Sequence, residues 1–298
     1  MLDGWISRSL RAHRMDGPLT STWADRKGPS HCSSITARQV PGSSTTPFVQ
    51  AASQRGLRMV SFSRAGYGDS TRNPGRSVAH VIADVAVVLD QLGADRFYTL
   101  GWSGGGPHAL ACAALLPERL IGAATVGCLA PYDAKGLDWM AGMGQENLES
   151  FRAALAGDTA LRTLLEGAAS RTANVSSDEV AASLGDLVSD IDRAAITGEV
   201  AAWLAAVFRE SLRNGIWGWY DDEVAFVMPW GFDLRTISVP VAIWQGGQDR
   251  TTPFAHGEWL ASHIPGVHPR LLPDHGHLSL GVDSFGLLLD DLTTIAPA

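Results

Sequence analysis

The chain has 298 residues, 45% of them hydrophobic and 18% charged, with a formal net charge of −8. Such a composition supplies a large core, and the acidic balance argues against a general binder of nucleic acid or acidic membranes, so neither is expected as a partner. Cys32, Cys112 and Cys128 show no metal-type spacing and read as reduced, buried thiols, and the opening MLDGWISRSLRAHRMDG lacks the apolar core of a signal peptide. A cytoplasmic protein is expected, with one large α/β domain carrying an insertion; whether it forms a homo-oligomer is left open.

Residues 1–40 carry no clear period, with Ser, Arg, His and Thr scattered through them, and read as an atypical, poorly structured segment. From about Gly42 the pattern is strong. Thr46 to Arg55 predicts a helix with Phe48, Val49 and Ala52 inward, and Leu57 to Phe62 a strand followed by the small-residue loop RAGYGDS. Val78 to Leu92 predicts an amphipathic helix through Val81, Ile82, Val85, Val88, Leu89 and Leu92.

The next stretch, RFYTLGWSGGGPHALACA, organises the chain. An apolar run from Phe97 to Leu100 predicts a buried strand, Gly101-Trp102-Ser103-Gly104-Gly105 a tight turn, and Pro107 to Cys112 the start of a helix. Strand, glycine turn and helix form the context in which G-x-S-x-G projects a serine hydroxyl from a strained bend, with free helix N–H groups beside it. Leu120 to Leu129 predicts another buried strand, so strands alternate with helices in a parallel sheet covered on both faces.

The alternation stops at about Pro131. Helical segments are predicted at 148–156, 159–169, 177–191 and 197–214, followed by the aromatics Trp217, Trp219, Tyr220 and Trp230. An insertion of this kind, 131–232, would lie over the carboxyl edge of the sheet, where ligands bind in such folds. Its Trp139, Met140, Met143 and Trp203 read first as internal helix packing, with Trp102, Trp139, Met143 and Trp203 as candidate pocket residues. The flanking pieces, 41–130 and 233–298, make the α/β core. Val239 to Trp244 returns to strand, ending in GGQDR. Pro253 to His263 is helical, His268 to Leu272 is a last strand before PDHGHLSL, and Val282 to Ile295 is a final helix.

A serine hydroxyl is a poor nucleophile at neutral pH; it needs an imidazole to take its proton and a carboxylate to orient that imidazole. Candidates follow the serine in order, each after a predicted strand: Asp249, with Asp274 as the alternative acid, and a histidine of PDHGHLSL, either His275 or His277. His275 and His108 otherwise read as surface or helix-cap residues. No H-E-x-x-H spacing occurs and no metal or cofactor is implied.

In RAGYGDS, GWSGGG, GGQDRTTP and DHGHLSL the chain, from about Gly42 onward, resembles the α/β-hydrolase family, particularly capped serine hydrolases of the esterase and proline-iminopeptidase-like kind. The resemblance implies an α/β-hydrolase fold with a helical cap. It assigns Ser103 as nucleophile, Asp249 as acid, His277 as base because it follows a glycine, and the Gly104 N–H as an oxyanion donor. It further implies cleavage of a small ester or amide through an acyl-enzyme, without cofactor. A serine at the elbow argues against dehalogenation, which resembles cases with an aspartate there.

Two departures stand out. Ser63 and Ala65 occupy positions where related sequences commonly carry Asp and Pro, and the His-Gly oxyanion loop expected before Gly42 is missing. Codons permitted for Cys32–Pro41, read in a shifted frame, translate as LFHHGTPGS, so residues 1–40 are read as an out-of-frame segment. The N-terminal strands are therefore expected to be degraded or missing, with Ser33 to Val40 still able to occupy the central strand and Arg38 and Gln39 in place of the loop. The alternative function is an impaired hydrolase scaffold that binds a ligand without turnover or folds poorly.

Overall fold

The computed structural model of the protein describes residues 5–8, 21–24, 32–35 and 47–295. The chain runs β1 (Trp5–Arg8), β2 (Ser21–Ala24), β3 (Cys32–Ile35), α1 (Pro47–Gln54), β4 (Arg58–Phe62), α2 (Val81–Leu92), β5 (Phe97–Trp102), α3 (Gly106–Leu115) and β6 (Leu120–Val126). After β6 come α4 (Gln145–Ala156), α5 (Asp158–Thr172), α6 (Val180–Ser183), α7 (Asp190–Ala195), α8 (Gly198–Leu212) and α9 (Trp217–Val227). The sheet then resumes with β7 (Val241–Gly246), α10 (Phe254–His263), β8 (His268–Leu272), α11 (His277–Asp283) and α12 (Phe285–Thr294).

Among the described residues eight strands form one sheet in the order β1-β2-β4-β3-β5-β6-β7-β8. β1, β2 and β4 pair antiparallel, and every pairing from β4 through β3 to β8 is parallel. The N-terminal strands are thus reduced to four residues each rather than lost. β3 begins one residue before the expected Ser33–Val40 run and overlaps it only over Ser33–Ile35; it takes the central place between β4 and β5. The reading of the rest of 1–40 as an out-of-frame segment, with Arg38 and Gln39 in the oxyanion loop, lies outside the described residues.

β5 and β6 are buried at every position, as strands covered on both faces must be. One face packs Val81, Val85, Leu89, Leu110 and Leu260 from α2, α3 and α10; the other packs Phe48, Ala52, Leu288 and Leu292 from α1 and α12. Each fully buried leucine contributes about 2 kcal/mol by area removed from water. Cys112 and Cys128 are free and buried, and burial pushes the Cys112 thiol up to about 12.

Four expectations are corrected. The helix predicted over 177–191 is broken, because Ser189 caps a new helix at α7 by accepting from the Asp192 N–H. The final helix begins earlier, as the short α11 at His277 followed by α12. The aromatic cluster opens a helix of its own, α9, which drives a buried carboxylate into the protein. Asp222 of α9 accepts from Arg64 (2.5 Å), Arg76 (2.7 Å) and the Tyr67 hydroxyl (2.7 Å). His108 of α3 is buried beside it rather than on the surface, its Nε2 lying 3.5 Å from Asp222. Burial alone would raise the Asp222 carboxyl, but the Arg64 and Arg76 charges outweigh it and hold it well below the ordinary range. This cluster bolts the RAGYG loop after β4 to α9.

Among the described residues no helix is long and apolar enough to cross a membrane, and no group of three or more His, Cys, Asp or Glu is placed to hold a metal ion.

Candidate active site

The parallel strands bring distant residues to one edge. Ser103 follows β5 directly, and it is the only non-glycine residue among those described with a positive φ, 55°. A left-handed serine costs on the order of 1–2 kcal/mol and survives only where the surroundings fix it. Here the chain turns at once through Ser103–Gly105 into α3, and Gly101 permits the turn: a Cβ there would stand 2.3 Å from the Gly105 carbonyl oxygen. Gly104 is buried within the turn, among the first amides of a helix start that have no carbonyl one turn back.

Asp249 and His277 meet at the same edge. The His277 Nδ1–H donates to Asp249 Oδ2 at 2.7 Å, and both residues are buried. The second Asp249 oxygen accepts from the Thr251 and Thr252 amides at 2.9 and 2.7 Å, and Gln245 Nε2 donates to Oδ2 at 3.1 Å. With its carboxylate so fixed and Nδ1 carrying the proton, His277 keeps Nε2 as its acceptor nitrogen. Asp274, the alternative acid, is exposed, and His275 is half-buried with its carbonyl taken by the Gln248 amide.

Gly127, which ends β6 at φ 56°, makes room for this pair. A Cβ on it would lie 2.6 Å from His277 Nδ1 and 3.0 Å from Asp249 Oδ2. Sequence reading extended the strand to Leu129 and passed over this position. A glycine closing a buried apolar run one strand from the elbow was the available signal.

Ser103 and His277 line one cavity of about 250 Å³ with Tyr67, Trp102 and Leu278. The helices between β6 and β7 supply the facing wall, largely aliphatic and aromatic, including Leu184, Val188, Trp203, Val207 and Phe208. Glu146, Glu149 and Arg171 also reach it, and burial raises the Glu146 carboxyl. Of the pocket candidates, Trp102 and Trp203 line the cavity and stack on each other at 5.8 Å. Trp139 and Met143 do not; both are packed in the core. The Trp139 indole donates to the Ala130 carbonyl at 2.7 Å and its ring meets Phe151 and His256 edge-on. Trp102 has a second contact, donating from Nε1 to the His277 carbonyl at 3.1 Å.

Comparison with known proteins agrees with this architecture. Residues 39–284 match the family model described as the alpha/beta hydrolase fold. Over 114 residues the chain is 29% identical to "Epoxide hydrolase B" of Mycobacterium tuberculosis, a match spanning 37% of this chain and about a third (32%) of that protein. Among solved structures it is similar to a bromoperoxidase from Bacillus anthracis (TM-score 0.65, 20% identity, 96% of this chain and 100% of that one). It is also similar to an esterase from Exiguobacterium antarcticum (TM-score 0.61, 17% identity, 93% and 96%). Taken with the family match over most of its length, the strand order and the serine turn after β5 make this chain a member of the α/β-hydrolase fold family.

Proposed function

We propose that the protein is a serine hydrolase that cleaves a small ester or amide through an acyl-enzyme. The reading rests on one observation above all: an imidazole oriented by a buried carboxylate at 2.7 Å lines the same cavity as a serine held at φ 55° on a strand-to-helix turn. Ser103 Oγ attacks the substrate carbonyl carbon while His277 Nε2 takes its proton. The tetrahedral oxyanion is met by the Gly104 N–H, and the C–O or C–N bond breaks as His277 returns the proton to the leaving group. Water then enters by the reverse sequence and releases the acid, with Asp249 holding the imidazole throughout. Residues 131–232 act as the cap, and their apolar wall favours a small substrate with an apolar acyl or leaving group.

The likeness to an epoxide hydrolase does not shift this reading. A serine alkoxide opening an epoxide would form an ether, which has no carbonyl for water to attack, so turnover would stop at the first step.

A fluorophosphonate probe tests the proposal. The protein is expected to label at Ser103, Ser103→Ala is expected not to, and short acyl esters of a chromogenic phenol should be turned over only by the former. Labelling that persists in the variant would overturn the assignment. A folded protein that never labels would favour the non-catalytic scaffold.

A further inference from the structure

His277 is held from a second side that catalysis by three residues does not require. Asp192, in α7 of the helical stretch between β6 and β7, is fully buried and directs its carboxylate at the start of α11. Its Oδ2 accepts the His277 amide at 2.9 Å; its Oδ1 accepts the Leu278 and Ser279 amides at 2.8 and 2.9 Å and the Ser279 hydroxyl at 3.0 Å. Ser279 Oγ in turn accepts the Gly276 amide at 2.8 Å, and Ser189 Oγ donates to Asp192 Oδ2 at 3.1 Å. The approach is so close that a Cβ on Gly276 would stand 2.3 Å from the carboxylate.

We propose that Asp192 is a positioning residue for the catalytic base, a carboxylate contributed by the helical stretch that fixes the backbone at His277 and places a second negative charge beside it. This rests on His277 being the base. Three consecutive amides on one carboxylate, together with the Trp102 indole on the His277 carbonyl, leave the backbone of the base bonded on both sides. The consequence is that the base is set in place only when α7 is docked. Burial by itself would raise the Asp192 carboxyl; the Ser279 amide, His277 and the other two amides outweigh it and hold it below the ordinary range. By the same coupling the Asp192 charge favours the imidazolium that forms when His277 takes the serine proton. Among the described residues, the charged and titratable groups around His277 are Asp249 on its ring, Asp192 at its amide, His275 two residues before it in the chain, and Tyr67, Glu146, Glu149 and Arg171 on the cavity wall.

The test is the pH dependence of fluorophosphonate labelling, with the His277 imidazole titrated by NMR as a readout that needs no activity. Asp192→Asn keeps the shape and one acceptor oxygen but removes the charge. Its acid limb and its His277 titration are expected to move down by about one pH unit. Ser279→Ala keeps the charge, and its limb is expected to stay in place. An Asp192→Asn profile that overlays the parent, or an equal displacement in both variants, would overturn the proposal. Should Asp192→Asn not fold, Asp192→Glu retains charge with displaced oxygens: slower labelling with an unmoved limb is expected, and a limb moved by a full unit overturns it. Absent labelling in the parent would sink the hydrolase reading, while the NMR titration would still decide the role of Asp192.

Discussion

Two buried histidines outside the site make the fold sensitive to mild acid. His108 and His256 are each lowered from the ordinary 6.5 to about 4, chiefly by burial; for His108 the nearby Arg64 charge adds to it, and for His256 the Trp139 carbonyl partly opposes it. The geometry at His256 shows why a second proton is unwelcome. Its Nδ1 accepts the Ala130 amide at 3.0 Å and its Nε2 faces the Trp139 carbonyl at 2.9 Å, so protonating Nδ1 would set two N–H groups against each other. With the folded value depressed, the unfolded chain binds the proton first. Stability is therefore full above about pH 6.5 and falls with acidification until the folded value is reached. At pH 5, one and a half units below the unfolded value, each histidine has cost about 2 kcal/mol, on the order of 4 kcal/mol together. Urea midpoints at pH 7 and pH 5 measure this for the parent, His256→Gln and His108→Gln. Lost hydrogen bonds shift a variant equally at both pH values, so the difference between them isolates the titration. Each variant is expected to lose about 2 kcal/mol less than the parent on acidification. Variants as steep as the parent would refute the reasoning.

Further outcomes follow from the same contacts. Asp222→Ala strands two buried guanidinium groups, Arg64 and Arg76, and is expected to cost about 3–5 kcal/mol in urea unfolding at pH 7. A loss under about 1 kcal/mol would show the cluster to be dispensable. Because the Asp222 carboxyl is depressed, its contribution is present above its ordinary range and is lost only as pH falls toward the folded value. Gly127→Ala drives a methyl group into the His277–Asp249 pair and is expected to slow fluorophosphonate labelling roughly a hundredfold while the melting transition survives. Labelling at the parent rate would mean that the pair has slack that its contacts do not suggest.

Much of this arrangement was legible in the sequence because it depends on local signals. β5, the glycine turn and α3 are contiguous, and a serine forced through a tight bend leaves glycines on either side of it. Asp249 and His277 were legible as polar residues at the ends of apolar runs, and the preference for His277 over His275 came from the resemblance rather than from spacing. What escaped was pairwise. Nothing in the stretch around Asp192 marks it as the partner of amides 85–87 residues away, and the break that creates α7 rests on a serine cap inside an otherwise helical pattern. Asp222 was hidden for the same reason: its charge makes sense only once Arg64 and Arg76 are seen around it. Trp139 and Met143 are as apolar as Trp102 and Trp203, and periodicity cannot say which aromatic faces a cavity and which faces the core.

The stacked indoles of Trp102 and Trp203, 5.8 Å apart and inclined by 28°, carry a consequence for spectroscopy. Two rings this close couple their electronic transitions, so the pair contributes a bisignate circular-dichroism band that neither indole gives alone. One ring belongs to the strand that delivers Ser103, the other to α8. The amplitude of that band therefore follows the seating of α8 over the serine in native protein, with no label attached, and Trp203→Phe supplies the baseline against which to read it.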